Sequence, residues 1–277
     1  MNRFFELKSV QRYFHFVALK AGAGYELTDL WRDFGVSVRS GRIKSWDDKA
    51  YTIQHARYTT DYPYYRGNDD YSINEDSEPP YEFDIFAIYL RKNRTILIGF
   101  PFKLMANHLL DTLVSKKRIL LNGHFLRIDL DTFIKLDYRD GAENKESPYE
   151  LDNFNAIVLG ISLSLSDTSQ ISMVDLNGKN PLSSEIYRNV FYSMLAQSSG
   201  HIAKSSMRCH LLSNTLDLPR SHSIIHMDVY GNFKMYIHQT GNNIFTLPAL
   251  VQILQKHHCL PKVNINPIKR LVNEKAD

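Results

Sequence analysis

The sequence lacks the short motifs by which several common enzyme classes are recognised. It contains neither of the glycine-rich phosphate loops GxxxxGK[ST] and GxGxxG, no GxSxG, no HExxH and no paired CxxC. These patterns supply phosphate-binding amides, an exposed serine nucleophile and zinc ligands, respectively. Their absence counts against an ATP- or dinucleotide-driven enzyme and against the commonest hydrolases and zinc proteins. We therefore expect no cofactor and no metal.

Cysteines and long apolar runs are also scarce. Cys209 and Cys259 are the two cysteines, and they do not fall into a zinc-ligand spacing, so we expect buried, reduced thiols. No segment approaches the roughly 20 apolar residues that span a bilayer, and the amino terminus has no secretory-signal pattern. From these features we expect no membrane insertion and a cytoplasmic location.

The charges are unevenly distributed along the chain. The net charge is +3, but residues 61–82 carry −6 and residues 137–152 carry −4, which leaves +13 on the remainder. Residues 59–82, which are acidic and rich in tyrosine, show no hydrophobic periodicity. We interpret them as a loop, either an ordinary mobile one or one that occludes a surface or binds a partner. The sequence therefore predicts a basic body with two acidic loops.

Hydrophobic periodicity predicts an α+β fold with antiparallel sheets. Period-two patterns predict strands over 11–19, 50–59, 83–91, 95–102, 124–138, 155–167, 207–214, 223–230 and 233–240. Helical spacing predicts helices over 25–34, 104–117, 181–197 and 246–258, the third with an apolar stripe of Leu182, Ile186, Val190 and Met194. Two hairpin-helix units, in 83–117 and 223–258, suggest two related halves. We expect an N-terminal α+β domain over 1–140 and a C-terminal α+β domain over 153–277.

Histidines are the best candidates for acid–base chemistry. His226 and Asp228 are two apart in a strand pattern, so both side chains should project on one face, where a carboxylate orients an imidazole. His238 lies in an HQT sequence that matches one half of a two-histidine phosphoesterase signature, but the other half is missing. The alternative interpretation of these residues is an ordinary solvated strand face.

Basic clusters favour nucleic acid as a partner, because phosphate contacts require lysine and arginine gathered on one surface. Three clusters are candidates for this surface, and scattered solubilising charge is the alternative. They are Arg39, Arg42 and Lys44; Arg91, Lys92 and Arg94; and Lys116, Lys117 and Arg118.

The layout of the chain resembles that of the RexA family of phage exclusion proteins. The segments that carry the resemblance are RYFHFVAL, YELTDLWRDF, AYTIQHARYT, IYLRKNRTILIGF and IIHMDVYGNFKMYIHQTG. The resemblance implies DNA binding within a phage-defence or regulatory module, and it assigns no functional residue.

Three functions remain open on the sequence. The favoured one is a sensor or regulatory component that binds DNA or RNA. The second is an enzyme that acts on a nucleotide or nucleic acid through the histidines of the late hairpin. The third is a scaffold subunit that binds another protein or a second copy of itself.

Overall fold

The computed structural model shows an α+β protein of two compact units. Unit 1 is Met1–Leu126 with Tyr236–Gly241 and Lys262–Asp277, and unit 2 is Arg127–Met235 with Asn242–Pro261. The structure describes residues 5–7, 12–36, 43–61, 80–115, 124–140, 154–165, 173–178, 181, 184–197, 201–212, 221–239 and 241–260. The expected domains 1–140 and 153–277 leave out the return of the chain to unit 1 at Tyr236–Gly241.

Unit 1 is an antiparallel sheet with two helices. Its strands are β1 (Tyr13–Lys20), β2 (Ile43–Asp47), β3 (Tyr51–Thr60), β4 (Tyr81–Leu90), β5 (Thr95–Phe100) and β6 (His124–Phe125). Its helices are α1 (Leu27–Asp33) and α2 (Lys103–Ser115). The strand order is β2-β3-β4-β5-β1, and β6 pairs with β1.

One face of the unit 1 sheet is buried together with α1 and α2. Trp31 of α1 and Met105 of α2 belong to the same buried cluster as Ala56, Ile85 and Ile98 of the strands. The indole Nε1 of Trp31 donates a hydrogen bond of 2.6 Å to Gln54 Oε1, so this polar atom is satisfied inside the core.

The other face of the unit 1 sheet has an aromatic core. Phe16 of β1 lies directly opposite Gly99 of β5, and a Cβ atom at position 99 would come within 2.3 Å of the Phe16 ring. Phe14 and Phe5 both make edge contacts with the Phe86 ring. Gly99 is therefore required here by the close approach of an aromatic ring.

The strands of unit 2 are antiparallel and are ordered β11-β10-β9-β7-β8. Its strands are β7 (Phe154–Ser164), β8 (Met173–Asn177), β9 (His201–Leu211), β10 (Ser221–Asp228) and β11 (Asn232–Tyr236). Its helices are α3 (Leu130–Asp140), α4 (Glu185–Gln197) and α5 (Thr246–Lys256), the last preceded by a 3-10 turn over Asn242–Phe245.

Helix α5 packs on one face of the unit 2 strands, and on the opposite face the alternate residues of β9 and β10 are exposed or half-buried. Helix α5 contacts β7, β9 and β10, and α3 contacts β9. Leu247, Leu250, Val251 and Leu254 of α5 are buried at helical spacing. Both cysteines are buried and free of disulfides, as expected, and burial raises the pKa of the Cys259 thiol to about 12.

Several predicted elements differ from the structure. The strand over 124–138 is wrong: after the short β6, residues 130–140 form helix α3. The basic segment before Tyr51, to which the periodicity assigns no strand or helix, contains the strand β2. Thr59 and Thr60 end β3 and Tyr81 begins β4, so the acidic loop is shorter at both ends than 59–82, and residues 62–79 lie outside the described part. Residues 137–140 of the second acidic segment belong to α3.

Among the described residues, no helix combines the length and the apolar character that crossing a bilayer requires.

Candidate functional site

The face of the unit 2 strands opposite α5 concentrates basic and imidazole side chains. Alternate residues of β9, β10 and β11 point away from the helices, because successive side chains of a strand project to opposite faces. On β9 and β10 the intervening residues, such as Met207, Cys209, Ile225 and Met227, are buried. We call the outward set the basic histidine face: Lys204, Arg208, His210, His222, His226 and Lys234.

Strand register arranges the basic histidine face in rows across the sheet. His210 lies opposite His222, and Arg208 lies opposite Ile224. In the next row, His226 lies between Ser206 of β9 and Lys234 of β11. In the last row, Lys204 lies opposite Asp228. Lys204 and Arg208 are four residues apart on β9, which is roughly 13 Å along an extended strand.

Two imidazoles of this face, those of His210 and His226, have pKa values lowered toward the neutral form. Burial lowers the pKa of His210, and the nearby His222 and Arg208 lower it further. Burial also lowers the pKa of His226, and the charge of Lys234 across the strand pair adds to the effect. At neutral pH the lysines and the arginine of the face therefore carry its charge, and the rings of His210 and His226 are neutral.

Asp228 has a structural role at the end of β10. Its Oδ1 accepts hydrogen bonds from the backbone amides of Tyr230, at 2.9 Å, and Asn232, at 3.2 Å. The side-chain amide of Asn232 donates to both carboxylate oxygens. The carboxylate thus closes the β10–β11 turn. As the strand alternation predicts, the Asp228 side chain lies on the same face as His226. Its hydrogen bonds, however, run to the turn residues.

His238 belongs to unit 1 and is exposed. Its ring meets the Tyr236 ring edge-on, with centroids 5.2 Å apart, and its carbonyl accepts the amide hydrogen of Gly241 at 2.7 Å. Thr240, the other half of the HQT sequence, lies outside the described residues.

The basic clusters singled out from the sequence are only partly described. Lys44 is exposed on β2, and Lys92 and Arg94 are exposed in the β4–β5 turn. Arg91 is bound to acidic and hydroxyl partners: its guanidinium lies 3.1 Å from Asp47 Oδ1 and donates to Thr52 Oγ1 at 2.7 Å. Arg39, Arg42, Lys116, Lys117 and Arg118 lie outside the described part.

A buried histidine–aspartate pair in unit 1 was not anticipated. His55 Nε2 of β3 lies 2.7 Å from Asp84 Oδ1 of β4, and their side chains are 3% and 0% exposed. The His55 ring stacks on Phe86, with centroids 4.9 Å apart. Such burial keeps both groups out of reach of a dissolved substrate, so the pair is structural.

Unit 2 also contains a cavity of about 250 Å³ beside the start of α3. Its polar lining includes Arg127, Asp129, Asp131 and His201. Asp129 accepts hydrogen bonds from the amide and hydroxyl of Thr132, and Asp131 accepts the amide of Ile202. Both carboxylates are therefore engaged in holding α3 and β9. The described residues contain no group of three or more His, Cys, Asp or Glu side chains suited to a metal ion.

In comparisons with known proteins, no family model and no curated protein sequence matches this chain.

Proposed function

We propose that this protein binds nucleic acid through the basic histidine face of unit 2. The observation that carries the proposal is the strand register, which places Lys204, Arg208 and Lys234 on one exposed sheet face with His226 among them and with His210 and His222 in the row beyond Arg208. Lysine and arginine neutralise phosphates, and histidine rings stack on unpaired bases. Two acidic side chains share the row of Lys204: Asp228 is held by hydrogen bonds at its turn, and Asp175 lies on β8, with Ser162 of β7 between it and Lys204.

A single strand of DNA or RNA fits this surface better than a duplex. An open sheet face presents its rings flat to splayed bases, whereas a duplex keeps its bases stacked inside. The proposal thus narrows the partner suggested by charge alone to an unpaired strand.

The enzyme hypothesis gains nothing from the geometry. It required Asp228 to orient His226, but the hydrogen bonds of Asp228 run to the turn residues. We therefore favour binding without turnover.

The biological setting stays a proposal based on the layout of the chain. Similarity of layout to RexA-like proteins supports a sensor or regulatory role in a phage-defence module in the cytoplasm. The shared hairpin-helix plan of 83–117 and 223–258 supports a proposed relationship between these two segments. Binding of a protein partner or of a second copy is also kept as a proposal.

Fluorescence anisotropy with labelled oligonucleotides tests the binding proposal. The probes are a single-stranded DNA, a single-stranded RNA and the matching duplex, each titrated at several salt concentrations. We expect both single strands to bind more tightly than the duplex, with log K falling linearly against log salt concentration. An absence of binding to every probe at low ionic strength would remove the proposal.

A further inference from the structure

Two histidines of the basic histidine face form a directly opposed cross-strand pair. His210 of β9 and His222 of β10 are register partners. Their ring centroids are 6.0 Å apart, with an angle of 25° between the ring planes. Directly opposite residues in an antiparallel pair have Cβ atoms about 5 Å apart. Both side chains therefore start from neighbouring points and extend over the same surface.

This spacing suits two nitrogens bound to one cation. Two imidazole nitrogens on a tetrahedral zinc, each at ~2.1 Å from the metal, lie roughly 3.4 Å from each other. With centroids 6.0 Å apart and 25° between the planes, the two rings reach that separation when the exposed His222 ring rotates about its side-chain bonds to direct a nitrogen toward His210. His222 is exposed and His210 is half-buried, so a cation approaches from solvent without any opening of the core.

We propose that His210 and His222 chelate a divalent transition-metal cation of the zinc class. Asn155 of β7, the register partner of His210 on its other side, places an amide on the same row, and water fills the remaining positions. Because neutral imidazole suits Zn²⁺, Ni²⁺ and Cu²⁺, whereas Mg²⁺ and Ca²⁺ prefer oxygen ligands, the pair selects the transition metals.

The surroundings set the strength of this site. Arg208, two residues before His210, repels a cation, and the site has two imidazole ligands rather than three or four. It is therefore an open site of modest affinity. A bound cation would add positive charge to the face, but the site itself does not depend on the proposed nucleic-acid binding.

Isothermal titration of tag-free protein with Zn²⁺ at pH 7.5 tests the site with the metal alone as probe. We expect wild type to bind one equivalent of Zn²⁺, and His210→Ala and His222→Ala each to raise the Kd by at least about tenfold. Removal of an outer-shell partner of a metal ligand alone costs about that much affinity. His226→Ala is the matched control. This variant removes an imidazole of the same face, but one whose cross-strand partners are Ser206 and Lys234 rather than another histidine. We expect it to bind Zn²⁺ as tightly as wild type does.

Electron paramagnetic resonance with one equivalent of Cu²⁺ gives a second readout. We expect a signal with two coordinated nitrogens in wild type and in His226→Ala, and the loss of that signal in the other two variants. All three side chains lie outside the buried core, and circular dichroism verifies that each variant is folded. Failure of wild type to bind, or equal behaviour of the three variants, would overturn the proposal. Neither result would bear on oligonucleotide binding.

Discussion

His55 and Asp84 lie 2.7 Å apart inside unit 1, on neighbouring strands and with the His55 ring stacked on Phe86. A carboxylate in an apolar core is tolerated only when it has hydrogen-bonding partners. This side-chain contact therefore links β3 and β4 in addition to the backbone hydrogen bonds between the two strands.

Removing the carboxylate should destabilise the fold. We expect Asp84→Ala to lower the free energy of unfolding by about 3 kcal/mol, because it leaves the polar atoms of His55 buried without this partner. Urea denaturation measures the change. Asp175→Ala, on the exposed edge strand β8, is the control and should change the value by less than about 0.5 kcal/mol. Equal effects of the two substitutions would contradict a structural role for the pair.

Gly99 should tolerate no side chain. We expect Gly99→Ala to lower the free energy of unfolding by about 1–3 kcal/mol, because the added Cβ meets the Phe16 ring at 2.3 Å. Thermal and urea denaturation measure the loss. The double variant Gly99→Ala/Phe16→Leu supplies the control for the mechanism: it should be less destabilised than the sum of the two single variants. Strict additivity would show that the ring contact is not the cause.

His226 should make stability depend on pH. Its pKa in the folded state is lowered by burial and by Lys234, so the unfolded chain binds the proton more readily. Stability should therefore fall as the pH drops below about 6.5, the ordinary histidine value. Around the ring lie Ser206 directly opposite, Lys204 and Arg208 diagonally opposite, and Asp228 on the same strand.

The variant His226→Gln measures this contribution. We expect its free energy of unfolding, followed by urea denaturation between pH 7.5 and 5, to fall less than that of wild type. An identical or steeper fall in the variant would show that His226 does not cause part of the loss of stability at low pH.

Strong periodicity predicted most elements of both units but missed the start of α3. Leu126, Ile128 and Leu130 alternate with polar residues, and this pattern led us to extend a strand into a helix. The competing signal was local: Asp129 accepts hydrogen bonds from the amide and hydroxyl of Thr132, which caps the first turn. Phe133 and Ile134, at helical spacing from Leu130, are buried with it.

Periodicity also does not show whether an apolar stripe is covered. Helix α4 was predicted from its stripe, yet Ile186 is 73% exposed and Val190 is 47% exposed. Phe191, outside that stripe, is the residue of this helix that is fully buried. Burial depends on neighbouring elements that a single segment does not reveal. Leu182, the first residue of the stripe, lies outside the described part.

The candidate site depended on information that no single strand contains. The sequence singled out His226 from its own alternation. The pairing of His210 with His222, and of Lys234 with His226, is set by strand register, which follows from the whole sheet. The buried His55–Asp84 pair had one available signal, an aspartate inside the apolar run FDIFAIYL.

The most direct test of nucleic-acid binding compares two triple variants with wild type. Lys204→Gln/Arg208→Gln/Lys234→Gln removes the cations of the basic histidine face. Arg91→Gln/Lys92→Gln/Arg94→Gln removes the same charge from the β4–β5 turn of unit 1. Each is titrated with a fluorescent single-stranded oligonucleotide across a range of salt concentrations. We expect the first variant to bind more weakly, with a salt slope smaller by about 2, since each lost phosphate contact removes roughly 0.7. The second should bind as wild type, and equal loss in both, or a larger loss in the second, would contradict the assignment of the face.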